Sequence, residues 1–158
     1  MIAKYWNLLN KIVDFVAAIF ADTLLLLIRG YWGCQFFVSG KGKLMNLDDV
    51  TKFFSDLQIP APHFNAILAS CTECFGGLLL MAGLLTRLTT IPLIVTMVVA
   101  YLSVADDKAA LLGILNDQDP FFKATPFLFL YASLIIFAFG PGRVSLDALL
   151  HLIFRKRR

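Results

Sequence analysis

The sequence has few charged residues and few cysteines, and its composition differs from that of a soluble domain. Only 16% of its 158 residues are charged, whereas 59% are hydrophobic. Typical soluble domains are about 25% charged and about 45–50% apolar. So large an apolar surplus cannot be buried in the core of a soluble domain of this size, and the composition therefore favours one integral membrane domain. The three cysteines are too few for a disulfide framework.

Motifs for several common activities are also missing from the sequence. It contains no Walker loop, no dinucleotide fingerprint and no nucleophile triad, and neither histidine is suitably spaced for a metal site. The net charge of +3 owes much to the terminal run Arg155–Arg158. Such a run beyond an apolar helix is typical of a cytoplasmic anchor facing anionic lipid headgroups. We therefore expect no nucleic-acid partner, no metal and no catalytic residue.

Four apolar segments dominate the chain. A helix needs about 20 residues to cross the hydrocarbon core of a bilayer. The segments predict an all-α, four-helix transmembrane bundle that forms a single domain over residues 1–158, with helices at about 13–38, 64–85, 88–104 and 124–139. The sequence Ser39–Lys43 is read as the end of the first helix, and Pro92 is placed in the first turn of the third.

Two shorter segments have the periodicity of amphipathic helices. In Asp48–Leu57 the apolar residues recur at i, i+3, i+4 and i+7, and Ser145–Phe154 repeats the pattern. We expect both to lie in the membrane interface, one in the first outer loop and one at the C-terminus. Basic residues are more frequent on the side that holds both termini, which predicts a multi-pass protein with cytoplasmic termini.

Arg29 and Glu73 lie inside the first and second apolar segments. A charge in hydrocarbon costs roughly 2.5 kcal/mol or more unless it is paired or faces a polar cavity. Counted from the outer ends of their segments, both lie about 13–14 Å deep at about 1.5 Å per residue. The matched depth predicts a buried ion pair, which would either fix helix register or form a pocket for a substrate headgroup or a proton relay.

Further polar and aromatic residues share the first helix with Arg29. Asp22, seven residues earlier, either extends a polar track or is solvated at the inner interface. Trp32 and Gln35 continue from Arg29 at i+3 steps, and Lys43 lies above them. The series is typical either of an interfacial aromatic belt or of a site for an anionic or quinone-like headgroup.

The Cys71-x-x-Cys74 spacing places two sulfurs on one side of a helix. A reactive thiolate is usually stabilised by a helix N-terminus or a nearby cation. These cysteines instead lie two to three turns into an apolar segment, on either side of Glu73. Packing thiols are favoured, a redox role is the weaker alternative, and whether the two form a disulfide is left open.

Several short stretches between about Leu25 and Leu150 together resemble one known family. They are Arg29-Gly30, Phe36–Gly40 with Lys43-Leu44, Phe53-Phe54, Ile59–Pro62, Glu73 with Gly76–Leu80, Gly83–Arg87, Gly140–Arg143 and Ser145–Asp147. In combination they resemble the DoxX family of small four-helix bacterial membrane proteins. The Cys71 and Cys74 pair is not part of that pattern.

The resemblance implies a protein of the bacterial inner membrane. The family is named after a membrane subunit of a terminal quinol oxidase or thiosulfate:quinone oxidoreductase, and other members look like partners in oxidative-stress complexes. It also implies Arg29, Lys43 and Glu73 as site positions. The leading hypothesis is therefore an accessory, quinone-associated subunit of a membrane oxidoreductase or oxidative-stress system.

In this hypothesis Arg29 and Glu73 form the polar core, while Lys43 and Gln35 lie at the outer mouth, where Gln35 could donate to a quinone carbonyl. Multi-electron chemistry would require a bound quinone, a metal or an oxidoreductase partner subunit, because apart from the two thiols no side chain here supplies it. Two alternatives remain. One is a small-solute or ion carrier acting as a homo-oligomer, and the other is a scaffold that docks a soluble enzyme on Asp48–Leu57.

Overall fold

The computed structural model describes residues 2–115 and 117–155; the side chains of residues 2–5, 8 and 155 are outside that description. The described residues form helices joined by turns and loops, without strands, which confirms the all-α class. The helices are α1 (Ile2–Met45), α2 (Leu47–Asp56), α3 (Pro62–Ala82), α4 (Thr86–Ser103), α5 (Ala105–Leu112), α6 (Asp119–Lys123), α7 (Thr125–Phe139) and α8 (Leu146–Arg155).

Four of these helices, α1, α3, α4 and α7, pack around one apolar core. Its buried residues are Phe36 from α1, Leu80 from α3, Leu93 and Met97 from α4, and Ile136 from α7. Helices α3 and α4 are each long and apolar enough to cross a membrane, whereas α7 is apolar but has only 15 residues. Helices α3, α4 and α7 lie close to the predicted segments 64–85, 88–104 and 124–139, whereas the described α1 is much longer than the predicted 13–38. A bundle of four membrane-crossing helices stays a prediction.

Helix α1 is a single helix of 44 residues and does not end at Ser39–Lys43 as the sequence had indicated. Gly33 and Gly40, before and within that stretch, serve close packing rather than termination. A side chain at Gly33 would come within 2.9 Å of the Gly77 carbonyl oxygen, and one at Gly40 would overlap the backbone of Cys74. Small residues at these positions let the backbones of α1 and α3 approach closely.

The two amphipathic segments are confirmed as helices α2 and α8. Ser145 caps α8, because its hydroxyl accepts a hydrogen bond from the Ala148 N–H at 3.1 Å. Pro92, in contrast, lies inside α4 and not in its first turn, since that helix begins at Thr86. Lys156–Arg158 and the side chain of Arg155 lie outside the described residues, so the basic anchor stays a prediction.

Candidate functional site

Charged and polar side chains gather in two places on the bundle. The first group, the cavity cluster, consists of Ser39 and Lys43 from α1 and Glu73 from α3. The second group, the loop junction, joins Asp22 and Arg29 of α1 to the α3–α4 turn and to the segment before α8. The two groups differ in what their charges contact.

In the cavity cluster, both carboxylate oxygens of Glu73 have a partner. Lys43 Nζ lies 2.5 Å from Glu73 Oε1, and the Ser39 hydroxyl donates a hydrogen bond to Oε2 at 2.8 Å. Glu73 is 1% exposed, whereas the Lys43 side chain is 35% exposed. A buried carboxylate is tolerated when it is paired and hydrogen-bonded in this way. The ammonium group compensates the buried charge while remaining accessible.

Helix spacing and helix packing bring these three residues together. Ser39 and Lys43 are four residues apart on α1 and therefore share a face. Glu73 stands level with them because Gly40 packs directly against Ser70 and Cys74 on α3. Continuation of α1 through Ser39–Lys43 is what makes the cluster, since a helix ending at Val38 could not present both side chains to α3.

The cluster lies on the wall of a cavity of about 740 Å³ between α1, α2, α3, α4 and α7. Most of the lining is apolar. Helices α2, α3, α4 and α7 contribute apolar side chains, which include Val50, Phe54, Leu68, Met97, Ala100 and Phe129. Ligand sites in proteins are commonly apolar cavities of about 300–1,000 Å³ with a few placed polar groups. This cavity suits an apolar molecule that carries one polar end.

Lys43 is the residue best placed to contact such a polar end. An ammonium group has three N–H donors and no acceptor, and Glu73 Oε1 is the single hydrogen-bond acceptor that Lys43 has among the described residues. Its remaining donors are free to bind a carbonyl or an anionic oxygen in the cavity. Glu73 and Ser39 hold the ammonium group in place for that contact.

The predicted ion pair between Arg29 and Glu73 is wrong. Arg29 is buried at the loop junction, where one guanidinium nitrogen donates to the Pro141 carbonyl and the other to the Val144 carbonyl at 2.7 Å. It stands level with Gly83, where an added side chain would come within 2.7 Å of the guanidinium carbon. The depth estimate failed because it was counted from Val38, although α1 continues to Met45.

Asp22 also belongs to the loop junction and not to a polar track leading to Glu73. Its carboxylate accepts a hydrogen bond from the Arg143 backbone N–H at 3.0 Å and lies 3.4 Å from the Arg143 Nε. The Asp22 side chain is 22% exposed. A polar track from Asp22 to Glu73 is therefore not formed, and solvation of Asp22 at the inner membrane interface stays a prediction.

Asp147 completes the loop junction, and the sequence reasoning did not single it out as a site residue. Its carboxylate accepts hydrogen bonds from the backbone N–H groups of Leu85 at 2.7 Å and Thr86 at 2.9 Å. Burial alone would raise the pKa of Asp147, but these hydrogen bonds and the nearby Arg29 charge hold that pKa below its ordinary value. Asp147 thereby caps α4 from a different helix, which no local sequence pattern reveals.

Trp32 and Gln35 do not reach the cavity. The Trp32 ring packs edge-on against Phe129, with ring centroids 5.1 Å apart, so it supports a residue of the cavity wall from behind. Gln35 is half-buried on α1 and is not part of the described cavity lining. Gln35 is therefore not placed to contact a ligand in this cavity, and its suggested hydrogen bond to a quinone stays a prediction.

The cysteines are free thiols in the structure. Cys74 is buried, Cys71 is half-buried, and Cys34 is exposed on α1. The backbone of Cys74 forms part of the close contact with Gly40. Within the described part of the chain, no cluster of His, Cys, Asp or Glu side chains could hold a metal ion. A packing role for Cys71 and Cys74 stays a prediction.

Ser39 is a site residue that the sequence reasoning missed. A usable signal was present, because Ser39 and Lys43 have the i, i+4 spacing of neighbours on a helix. That signal was hidden by the assignment of Ser39–Lys43 to a loop, for which Gly40 and Gly42 were the reason.

Comparison with known proteins finds a family and a relative. The family model DoxX matches residues 24–106, slightly more than half of the chain. The chain is 32% identical over 79 residues to a protein of Bacillus subtilis (strain 168) named "Putative oxidoreductase CatD". The match covers 50% of this chain and 58% of that relative's length. No solved structure matches the chain.

Proposed function

Since this chain belongs to the DoxX family, we propose that it is a multi-pass inner-membrane protein that acts as an accessory, quinone-associated subunit of an oxidoreductase or oxidative-stress system. Helices α1, α3, α4 and α7 cross the membrane in this proposal, and both termini are cytoplasmic. The loop junction then faces the cytoplasm, and the cavity cluster lies toward the outer surface.

The relative supports the oxidoreductase part of the proposal. It bears the name of an oxidoreductase, and its similarity to this chain is 32% identity over 79 residues. The match spans little more than half of that protein. The association with an oxidoreductase partner subunit therefore remains a proposal for this chain.

One observation carries the assignment of the site: a buried carboxylate paired with an accessible ammonium group on the wall of a mostly apolar cavity. Lys43 and Glu73 lie 2.5 Å apart, and both line the cavity of about 740 Å³. A quinone headgroup is an apolar ring whose carbonyl oxygens need hydrogen-bond donors. The residues present fit this group, because the apolar walls accept the ring and Lys43 has spare N–H donors.

Each residue of the cavity cluster has a distinct role in this proposal. Lys43 binds a carbonyl oxygen, Glu73 orients the ammonium group, and Ser39 fixes the second oxygen of Glu73. Phe129 forms the ring-facing wall, with Trp32 packed behind it. When bound, a quinone supplies the electron-accepting capacity that no side chain of the cluster offers.

The direct test is to extract purified protein and measure co-purified quinone by mass spectrometry. The variants Lys43→Met and Glu73→Gln remove the donor and its orienting partner. Gln35→Ala is the matched control, since Gln35 is a half-buried polar residue of the same helix that does not line the cavity. We expect quinone to be retained in wild type and Gln35→Ala and lost in both cluster variants.

Absence of quinone from folded wild-type protein would refute the proposal. Retention of quinone in folded Lys43→Met would refute the role of the ammonium group. Circular dichroism and size-exclusion chromatography of each variant show whether a loss of quinone is separate from a loss of fold.

A further inference from the structure

Helix α1 has a regular apolar stripe that no other part of the described chain covers. The first five residues of the stripe are spaced alternately three and four positions apart in the sequence, and each is more than half exposed. They are Trp6, Leu9, Val13, Val16 and Phe20. Steps of three and four define the a and d positions of a heptad repeat, along which two helices can pack side by side. The stripe is thus patterned for contact with another helix.

The same spacing continues into the bundle on the outward face of α1. The next positions of the repeat are Thr23, Leu27, Gly30 and Cys34, of which all but Gly30 are exposed. A side chain at Gly30 would meet nothing within 4 Å, whereas the one at Gly33 would collide with α3. Gly30 and Cys34 are small residues four positions apart, a spacing that lets membrane helices approach closely.

Charges are excluded from this stripe. From Trp6 to Cys34, α1 has four charged residues, Lys11, Asp14, Asp22 and Arg29, and all of them occupy heptad positions other than a, d, e and g. Like charges would therefore not meet if two copies of the stripe were brought together. Arg29 and Asp22 are in addition held by the loop junction of their own chain.

Much of the stripe extends past the bundle. Asp22 contacts Arg143 at the end of the bundle, so the preceding residues of α1 project beyond it by about 30 Å at about 1.5 Å per residue. The side chains of Trp6, Leu9 and Val13 are all exposed there. Exposed apolar surface of this extent is typical of a protein–protein or membrane contact site.

We propose that this stripe, Trp6 to Cys34 along α1, is the contact surface for a second copy of the same chain. Copies inserted with the same topology have the same orientation, so the two α1 helices run parallel about a twofold axis. The stripe then meets itself in register, as an isologous interface requires. The inference goes beyond the proposed function and rests on the part of it in which α1 crosses the membrane.

Cys34 reports on this contact, because in a parallel pair it lies opposite Cys34 of the second copy. Membranes containing the protein are treated with copper phenanthroline, which oxidises two adjacent thiols to a disulfide, and are analysed on a non-reducing gel. We expect a dimer band in wild type and in a Cys71→Ser, Cys74→Ser double variant. Cys34→Ser should lose the band.

A second set of variants separates a specific contact from random collision. In a cysteine-free chain, Leu27→Cys should form the dimer, and Phe75→Cys should not, because Phe75 is equally exposed but lies on α3. Adding Gly30→Leu to Leu27→Cys should abolish the band without unfolding the protein, since the space at Gly30 is open within one copy.

Absence of a dimer with both Cys34 and Leu27→Cys would overturn the proposal and show that lipid or another protein covers the stripe. Equal cross-linking of Phe75→Cys would overturn it as well, because the dimers would then arise from collision. Quinone content is measured separately, so a failure here is distinguishable from failure of the cavity proposal.

Discussion

The cavity cluster and the loop junction each bury a charged side chain, yet they satisfy it in different ways. Arg29 donates to the backbone carbonyls of Pro141 and Val144, which belong to the fold itself. Glu73 is paired with two side chains, Ser39 and Lys43, on the wall of a cavity. The first arrangement fixes a loop, whereas the second leaves hydrogen-bond donors available to a ligand.

The loop junction therefore has a structural role in this account, whereas the cavity cluster has a role in ligand binding. At the loop junction, Asp147 caps α4 and Asp22 holds the Arg143 backbone, so three charged residues tie four chain segments together. In the cavity cluster, the apolar lining depends little on the ion pair. We therefore expect changes at the junction to reduce stability and changes at the cluster to reduce ligand binding.

The largest effect on stability is expected for Arg29→Gln. The change removes a buried guanidinium and leaves carbonyl oxygens of the junction without donors, at a cost of about 3 kcal/mol. Thermal unfolding in detergent, followed by circular dichroism, should show a clearly lower midpoint. A midpoint equal to that of wild type would contradict the structural role of the loop junction, because it would show that the junction does not hold the bundle together.

A smaller loss is expected for Asp147→Asn, about 1 kcal/mol, which is typical of a lost helix cap. The loss should depend on pH. The pKa of Asp147 is held below its ordinary value of 3.8, so the contribution of the carboxylate to stability is complete above that value. The contribution disappears as the pH falls through the lowered pKa.

The check for Asp147 is a pair of unfolding series at neutral and acidic pH. The midpoints of wild type and Asp147→Asn should differ at pH 7 and converge as the carboxylate of the wild type becomes protonated. A difference that persists unchanged into strong acid would show that the carboxylate charge does not stabilise the junction.

Still less destabilisation is expected for Glu73→Gln, under about 1 kcal/mol, because Lys43 is 35% exposed and can turn to solvent. Its main consequence should be loss of ligand affinity. Hydrogen bonds to charged groups contribute about 1.5–3 kcal/mol, which corresponds to at least tenfold in affinity. Unfolding midpoints measured beside quinone binding would show whether the two properties separate.

No measurable effect on stability is expected for Lys123→Ala. Lys123 forms an ion pair with Asp119 at 2.7 Å, but both side chains are about three-quarters exposed. Exposed pairs of this kind contribute little. The variant is the baseline for the series, and a large shift of its unfolding midpoint would mean that the region around α6 matters more than its exposure indicates.

Periodic features of the fold could be predicted from the sequence, and tertiary features could not. The spacing of apolar residues gave α2 and α8 correctly, because each helix expresses its own amphipathic pattern. The end of α1 was misplaced, because Gly40 and Gly42 are helix breakers by local propensity. Packing against α3 overrides that propensity, and only the fold shows it.

The candidate site was predicted in part for the same reason. Lys43 and Glu73 were named, but Glu73 was assigned to Arg29 and not to Lys43. Helix register decides between these partners, and register depends on the contact of Gly33 and Gly40 with α3. Asp147 was missed, because its role as a cap on α4 joins residues more than 60 positions apart.

Quinone binding at the cavity cluster can be followed by the fluorescence of Trp32, which packs on a wall residue of the cavity. In a Trp6→Phe background, a short-chain quinone is titrated into the parent protein, Glu73→Gln and Asp147→Asn in nanodiscs. We predict saturable quenching at the same midpoint for the parent and Asp147→Asn, and a midpoint at least about tenfold higher for Glu73→Gln. Equal midpoints for all three proteins would contradict the account.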